Sequence, residues 1–424
     1  MKKIMLMLML TVWTCLMNSA CTTDQLNNPD VGKLSNNVII EWNEIAYQAF
    51  GGESYQHSLM ASRINAMTHL AMHDALNAIF PRYEKYAFTG YNASANPIAA
   101  AASAAHTVLF VEIPDKAAFL DSALLQSLST IPDNEEKEMG IALGKAAGQA
   151  ILDARANDGS AGDPIGPVPP SETGGVYQPV PPFDFLFAPF WKEVKPFGLN
   201  KKDQFRVPSY PSLDSEAYVE AYNEVKEIGK RDSPSRTADQ TAYAYFWYEF
   251  SEAGWNRVAR LVATSKKMDL LETARLFALV DMGMADAYIA GWDSKFYHNF
   301  WRPYTAIRNA HIDENEQTEA DLLWEAEMPT PPVQDYPSTH SALGSAAASI
   351  LAAIVGEHTT FTMRSPTALP GQEERSFSGF IEAAQENADS RVTAGIHFRF
   401  ACEAGLDLGD HVGNWIVNNH LKPL

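Results

Sequence analysis

Lys295, Arg302, Ser338, His340, Arg391 and His397 are the residue types from which an oxyanion site is built. They fall in three short segments: Lys-x6-Arg-Pro over 295–303, Pro-Ser-Thr-His over 337–340, and Ser390-Arg391 followed by Gly395 and His397. Three fixed cations balance the charge on anionic oxygens, while a hydroxyl and first-turn backbone N–H groups hydrogen-bond to them. A histidine supplies the group on the axis of attack. A pentavalent oxyanion needs both kinds of group, and this set provides both.

Each segment also has an ordinary structural reading. Lys295 and Arg302 are seven residues apart, so on a helix they share a face about 10 Å apart along the axis. Pro303 disfavours helix at the preceding residue, so the helix is expected to end at Arg302, which then points from its terminus. A solvated face is the competing reading. The surrounding Trp292, Phe296, Tyr297, Phe300 and Trp301 favour embedded cations instead. Ser338 is a good N-cap for the apolar run 341–355, and such a helix start carries roughly half a positive charge. Alone, Ser338 and His340 could be just a cap and a polar first-turn residue. Ser390-Arg391 closes one helical pattern, Gly395 breaks it, and His397 opens the next. A lone histidine on an apolar helix is usually structural, but the company of Arg391 makes His397 a site candidate. His69 and His73, with Asp74 beside them, resemble half a metal site. No third ligand follows at suitable spacing, and Ala66, Leu70 and Ala75 favour a packed helix.

The elements that must position these residues are helical. Apolar residues recur at three- and four-residue spacing over 63–79, 143–156, 271–290, 341–355 and 401–417. No convincing run of alternating β-branched residues is visible. Prolines crowd 164–196 together with Gly174-Gly175, which excludes regular helix there. That stretch, 161–204, reads as a strap held by Tyr177, Phe183, Phe185 and Trp191. It separates an N-terminal helical half (37–160) from a C-terminal half (205–424) that carries the oxyanion residues. The patterning predicts a mostly helical chain in two halves.

A chain of 424 residues that is 46% hydrophobic and 20% charged can bury a large core. Its formal charge of −20 argues against nucleic-acid binding. The cationic residues are thus a local positive spot in an acidic molecule. At the start, Met1-Lys2-Lys3, an apolar run over 4–17 and Asn18-Ser19-Ala20-Cys21 make an export signal (1–20) too short to span a bilayer. Ser19-Ala20-Cys21 resembles a bacterial lipoprotein cleavage box. The expected location is therefore outside the cytoplasm: periplasm, outer-membrane lipoprotein or secreted, with membrane contact only through an N-terminal lipid. After processing Cys402 stands essentially alone, without a disulfide framework, and reads as a small buried hydrophobe.

The three segments resemble the signature of the vanadium-dependent haloperoxidases and the related PAP2-type acid phosphatases: Lys-x6-Arg-Pro, Pro-Ser-Gly-His and Ser-Arg-x5-His. Thr339 stands here for the glycine. A backbone N–H contact survives that change, but a side chain now crowds the oxyanion. Arg63-x2-Ala66-Met67-x-His69-x3-His73-Asp74-Ala75-x-Asn77, the stretch 223–226 and Trp247 also resemble the soluble bacterial peroxidase branch, extending the similarity over most of 37–424. The resemblance implies an all-α fold of two four-helix bundles in one compact unit.

The resemblance also implies two chemistries for one pocket. As a haloperoxidase the protein would hold vanadate on His397, with Lys295, Arg302, Ser338, Thr339 and Arg391 around its oxygens. His340 would manage the proton of hydrogen peroxide, and Lys295 would polarise the peroxide for halide attack, giving hypohalous acid that a small organic acceptor could consume. As an acid phosphatase, His397 would attack phosphorus and His340 would protonate the leaving group. A binding protein that has lost the chemistry is a third class, opposed by the intact Lys295, His340 and His397. Export and the wider similarity favour the peroxidase. The family often places an acidic residue four positions after the ligand histidine; here that is Ala401, with Glu403 nearest, so a backbone carbonyl could orient His397 instead. Trp292 matches an aromatic of the halide channel in fungal chloroperoxidases, and Trp301 is a second channel candidate. The position five before Ser338 is Phe in chloroperoxidases and His in algal bromoperoxidases. Here it is Val333, which points to iodide, then bromide.

Overall fold

A computed structural model describes residues 32, 34–55 and 58–424. The export signal and Cys21 lie outside them. The N-terminal half comprises α1 (Asn37–Ala49), α2 (Ser58–Ile79), α3 (Pro97–Glu112), α4 (Ala117–Ser129) and α5 (Glu135–Arg155). The C-terminal half follows the strap with α6 (Glu216–Ile228), α7 (Ala238–Phe246), α8 (Ser251–Ser265), α9 (Leu270–His298), α10 (Pro303–Arg308), α11 (Thr339–Val355), α12 (Phe380–Thr393) and α13 (Arg399–Asn419). Helices dominate, and the five periodic segments fall on α2, α5, α9, α11 and α13, with 143–156 running one residue past the end of α5. Among the described residues no single helix is long and apolar enough to cross a membrane.

A few short strands accompany the helices. Two short antiparallel pairs occur, β1 (Ile165–Pro167) with β2 (Phe185–Phe187) and β3 (Phe361–Arg364) with β4 (Glu374–Phe377). Strands of three or four residues are too short to show an alternating pattern against a background of loops. The first pair staples the strap, whose Tyr177 and Trp191 are buried as anchors.

Helix α9 is the axis of the molecule. It starts in a reciprocal cap, where Asp269 accepts from Glu272 N–H and Glu272 returns the bond to the Asp269 N–H. It is buried along nearly its whole length, with α2 on one side and α11 and α13 on another. The halves therefore share one core. Close approach of α11 and α13 depends on Gly405 and Gly409: a Cβ there would sit 2.3 Å from Ser338 O and 2.2 Å from Ala342 O. This contact holds the start of α11 against α13, whose own start follows His397.

Buried carboxylates anchor loops to the helices. Asp286 of α9 accepts from the backbone N–H groups of Phe197, Gly198 and Leu199 at 2.6–2.8 Å, tying down the end of the strap. Asp74 of α2 does the same for Tyr86, Ala87 and Phe88. Replacing Asp286 by Ala would leave three buried donors unpaired, at a cost of roughly 3 kcal/mol or more. Chemical denaturation of Asp286→Ala is expected to show that loss, and an unchanged midpoint would contradict it.

Candidate oxyanion site

The structure brings the three segments together at the C-terminal end of α9, the N-terminal end of α11 and the α12–α13 connection. Lys295 projects from the last turn of α9 and is fully enclosed. Its Nζ donates to the carbonyls of Gln334 and Asp335 at 2.7 and 2.9 Å. Burial, reinforced by the Arg302 charge, holds its pKa well below the usual lysine range.

Arg302 differs from expectation in its backbone. Helix α9 ends at His298, with Asn299 in the left-handed conformation as its C-cap. Arg302 is instead the extended residue before α10, with Pro303 at the first helical position. The residue before a proline is pushed to extended backbone, and that turn swings the guanidinium back toward Lys295. Arg302 Nε donates to Val333 O, and Nη1 donates to Ile396 O, both at 2.7 Å. The same Nη1 lies 3.0 Å from His397 Nε2.

Ser338 caps α11 as the sequence implies, accepting from Ser341 N–H and the Ser341 hydroxyl. Both contacts use its oxygen as acceptor, so its own proton is available to an anion. Thr339 begins the helix with its methyl against Gly291 of α9, where a Cβ would sit only 2.4 Å away. The Thr339 side chain thus packs sideways onto α9, which answers the question of where a residue larger than glycine fits.

Arg391 and His340 meet at one backbone oxygen. His340 Nε2 donates to Trp247 O at 2.7 Å, and Arg391 Nη1 approaches the same oxygen at 3.4 Å. A carbonyl only accepts, so His340 carries its proton on Nε2 and presents Nδ1 as a base. Burial and then Arg391 hold its pKa well below the usual value, so it is neutral at pH 7. His340 is half-buried, whereas its partners in the cluster are enclosed. Burial pulls the Arg391 pKa down to about 10, and its Nε has no hydrogen-bond partner among the described residues.

His397 follows Gly395, whose φ of +77° makes the sharp exit from α12. The ring Nδ1 lies 2.8 Å from Asp335 Oδ1. That contact is close but out of line for a hydrogen bond. The Arg302 N–H at Nε2 requires that nitrogen to be the acceptor, which places the ring proton on Nδ1, toward Asp335. Burial first, then Arg302, Lys295 and Arg391, keep the ring neutral. Its Nε2 lone pair is the one a central atom would take.

Asp335 is the residue that sequence reasoning missed. Neither Glu403 nor a backbone carbonyl faces Nδ1; a carboxylate three residues before Ser338 does. Burial pushes its pKa up to about 7, against the pull of Arg302 and Lys295. The signal available was an acidic residue inside a motif loop otherwise free of charge. The Trp247 carbonyl was missed because a main-chain acceptor leaves no mark in side-chain identity. Trp292 lies at the side of the cluster, its indole N–H on Ala188 O and its ring edge-on to Tyr288 and Phe187. Val333 contributes its carbonyl to Arg302, and its side chain is buried. Trp301 packs into the aromatic core beside Phe300. His69 and His73 are held separately, against Asp281 and the Glu84 carbonyl.

Three buried cations and one half-neutral carboxylate leave an excess of positive charge that burial opposes. An oxyanion offsets it. The unpartnered Arg391 Nε and the uncommitted Ser338 proton are donors such a group would accept from, and neutral His397 offers one lone pair. The residues fit vanadate.

The comparisons agree. The family described as the VCPO second helical-bundle domain matches residues 275–423. The chain is 27% identical over 313 residues to the vanadium chloroperoxidase of Curvularia inaequalis, covering 57% of this chain and 50% of that one. It thus spans about half the length of that curated relative. The crystal structure of the first bacterial vanadium-dependent iodoperoxidase superposes with a TM-score of 0.80 at 26% identity, over 92% of this chain and 98% of the other. An apo-type bacterial vanadium-dependent chloroperoxidase shares the fold at a TM-score of 0.69 and 18% identity, over 85% and 92% of the two chains. The second-bundle match spans every residue of the cluster, and over that stretch the chain is similar to the vanadium haloperoxidases.

Proposed function

We propose that the protein is a vanadate-dependent haloperoxidase that oxidises halide with hydrogen peroxide to hypohalous acid. The observation that carries this reading is the enclosed cluster of Lys295, Arg302 and Arg391 around two neutral histidines. Bound vanadate supplies a Lewis acid that activates peroxide toward a halide nucleophile. The chain does the rest. His397 offers Nε2 as the bond to the central atom, with the Asp335 carboxyl facing Nδ1. The three cations hold the oxyanion, and Lys295 also withdraws charge from the peroxide oxygen to be attacked. His340 Nδ1 accepts the first proton of peroxide, because its Nε2 proton is committed to Trp247 O.

Iodide is the halide we favour, then bromide. Val333 offers neither ring nor imidazole to the site, so selection rests on how easily the halide is oxidised. A small organic molecule would be the final acceptor of hypohalous acid. We also propose export, with lipid attachment at Cys21, from the signal-like N-terminus.

The alternative chemistry of this pocket, phosphate-ester hydrolysis through His397, sets the test. Vanadate should switch on peroxide-dependent iodide oxidation and suppress any phosphate-ester hydrolysis, since both occupy one site. Iodide oxidation at background with vanadate present, beside brisk ester turnover without it, would establish the phosphatase instead.

A further inference from the structure

Ser341 and Cys402 are fully buried behind the pocket, near the starts of α11 and α13. Ser341 is the third residue of its helix. In the reciprocal cap that starts α9, the side chain at this position returns to the backbone N–H of the cap residue. That option is closed in α11, because the Ser338 N–H already donates to Ala401 O at 2.8 Å. The Ser341 hydroxyl turns instead to the Ser338 side chain and donates to its Oγ at 2.9 Å. The Ser341 N–H reaches the same oxygen at 3.3 Å.

A hydroxyl oxygen has two lone pairs and one proton. Both lone pairs of Ser338 are thus occupied from its own helix, and only the proton remains. Ser338 is fully buried, and no acceptor among the described residues takes that proton. A buried donor without a protein acceptor is costly, and an anion oxygen in the pocket satisfies it.

The row of bonds extends one step further back. Gly405 of α13 leaves room for Ser341: a Cβ there would lie 2.9 Å from the Ser341 Cβ. Cys402, one turn earlier on the same face, hydrogen-bonds the Ser341 side chain. Burial pushes the Cys402 thiol up to about 12, so it keeps its proton. Since the Ser341 proton is committed to Ser338, the thiol donates to the Ser341 oxygen. The thiol also lies within electrostatic reach of Lys295, Arg302 and Arg391.

We propose that Ser341 and Cys402 are positioning residues that aim the Ser338 proton at the bound oxyanion. The order is Cys402 S–H to Ser341 Oγ, Ser341 O–H to Ser338 Oγ, and Ser338 O–H to an oxygen of vanadate. The inference rests on the haloperoxidase reading for the identity of that anion. No bond breaks along the row and no proton is transferred. Each donor is held in one orientation and polarised by the one behind it. Without the Ser341 hydroxyl, Ser338 keeps only the longer N–H contact, and its O–H is free to turn away from the anion.

The test uses vanadate alone as the probe, titrated into the full-length, vanadate-free protein. Ser341→Ala puts the best helix former into an alanine-rich helix, so the fold should hold. Its vanadate dissociation constant should rise about tenfold, the low end for a group that orients a metal site from behind. In a Ser338→Ala background the same substitution should change that constant by less than about twofold, because its effect runs through the Ser338 hydroxyl. Cys402→Ala should weaken binding less than Ser341→Ala does, and Cys402→Ser, which keeps a donor, should restore the parental constant. In infrared spectra of the vanadate-free protein, Ser341→Ala should shift the S–H stretch that Cys402→Ala removes. Parental affinity in Ser341→Ala, an equal loss with and without the Ser338 hydroxyl, or an unmoved S–H band overturns the proposal. A parent that binds vanadate but oxidises no halide overturns the haloperoxidase reading and leaves the positioning standing. One that takes up no vanadate overturns both.

Discussion

His397→Ala is expected to abolish vanadate retention and halide oxidation together while leaving the fold intact. His397 is a neutral imidazole whose Nε2 lone pair sits among the three cations, where Arg302 Nη1 donates to it at 3.0 Å and a central atom would displace that contact. Removing groups that only orient a metal ligand typically costs 10–100-fold in affinity, so losing the ligand itself should cost more than about 100-fold. The cations remain in the variant and could still hold a loosely exchanging anion. Vanadium content after gel filtration distinguishes the two cases. Undiminished retention would remove His397 as the ligand.

The second large effect is on turnover rather than on binding. His340→Ala should lower turnover by about 10²–10⁴-fold, the usual contribution of a positioned acid–base group. Vanadate affinity should change by less than about tenfold, because this ring offers no bond to the central atom. The sign of the pH effect follows from the depressed pKa. Burial and Arg391 keep His340 neutral at pH 7, so it accepts a proton from peroxide there and becomes blocked only as the solution is acidified. The parent's Michaelis constant for peroxide should therefore rise toward low pH, and the variant should lose that acid limb. Near-parental turnover with an unchanged profile would exclude His340 from the mechanism.

The sequence exposed what depends on side-chain type at fixed spacing. Helices α2, α9, α11 and α13 showed because their buried faces repeat with the helical period over many residues. The cluster showed because cations, hydroxyl and histidines are the site's own chemistry. What stayed hidden depends on tertiary approach. The carbonyls of Trp247, Gln334 and Ile396, which fix His340, Lys295 and Arg302, carry no residue signature. Asp335 stands on a loop, and only folding reveals that it faces His397 rather than solvent. Arg302 was assigned to the end of the long helix because the spacing to Lys295 suits one. The chain instead breaks at Asn299 and uses the pre-proline turn to deliver the same side chain. The contact of the Thr339 methyl with Gly291 of α9 was likewise hidden, because it depends on how closely the two helices approach.

Titration of vanadate-free protein with vanadate, in the presence of peroxide and iodide, tests the central claim most directly. Iodide oxidation should rise in proportion to added vanadate and level off at one vanadium per chain, and His397→Ala should stay flat throughout. No rise in the parent, or an equal rise in His397→Ala, would contradict a vanadate-dependent peroxidase built on this cluster.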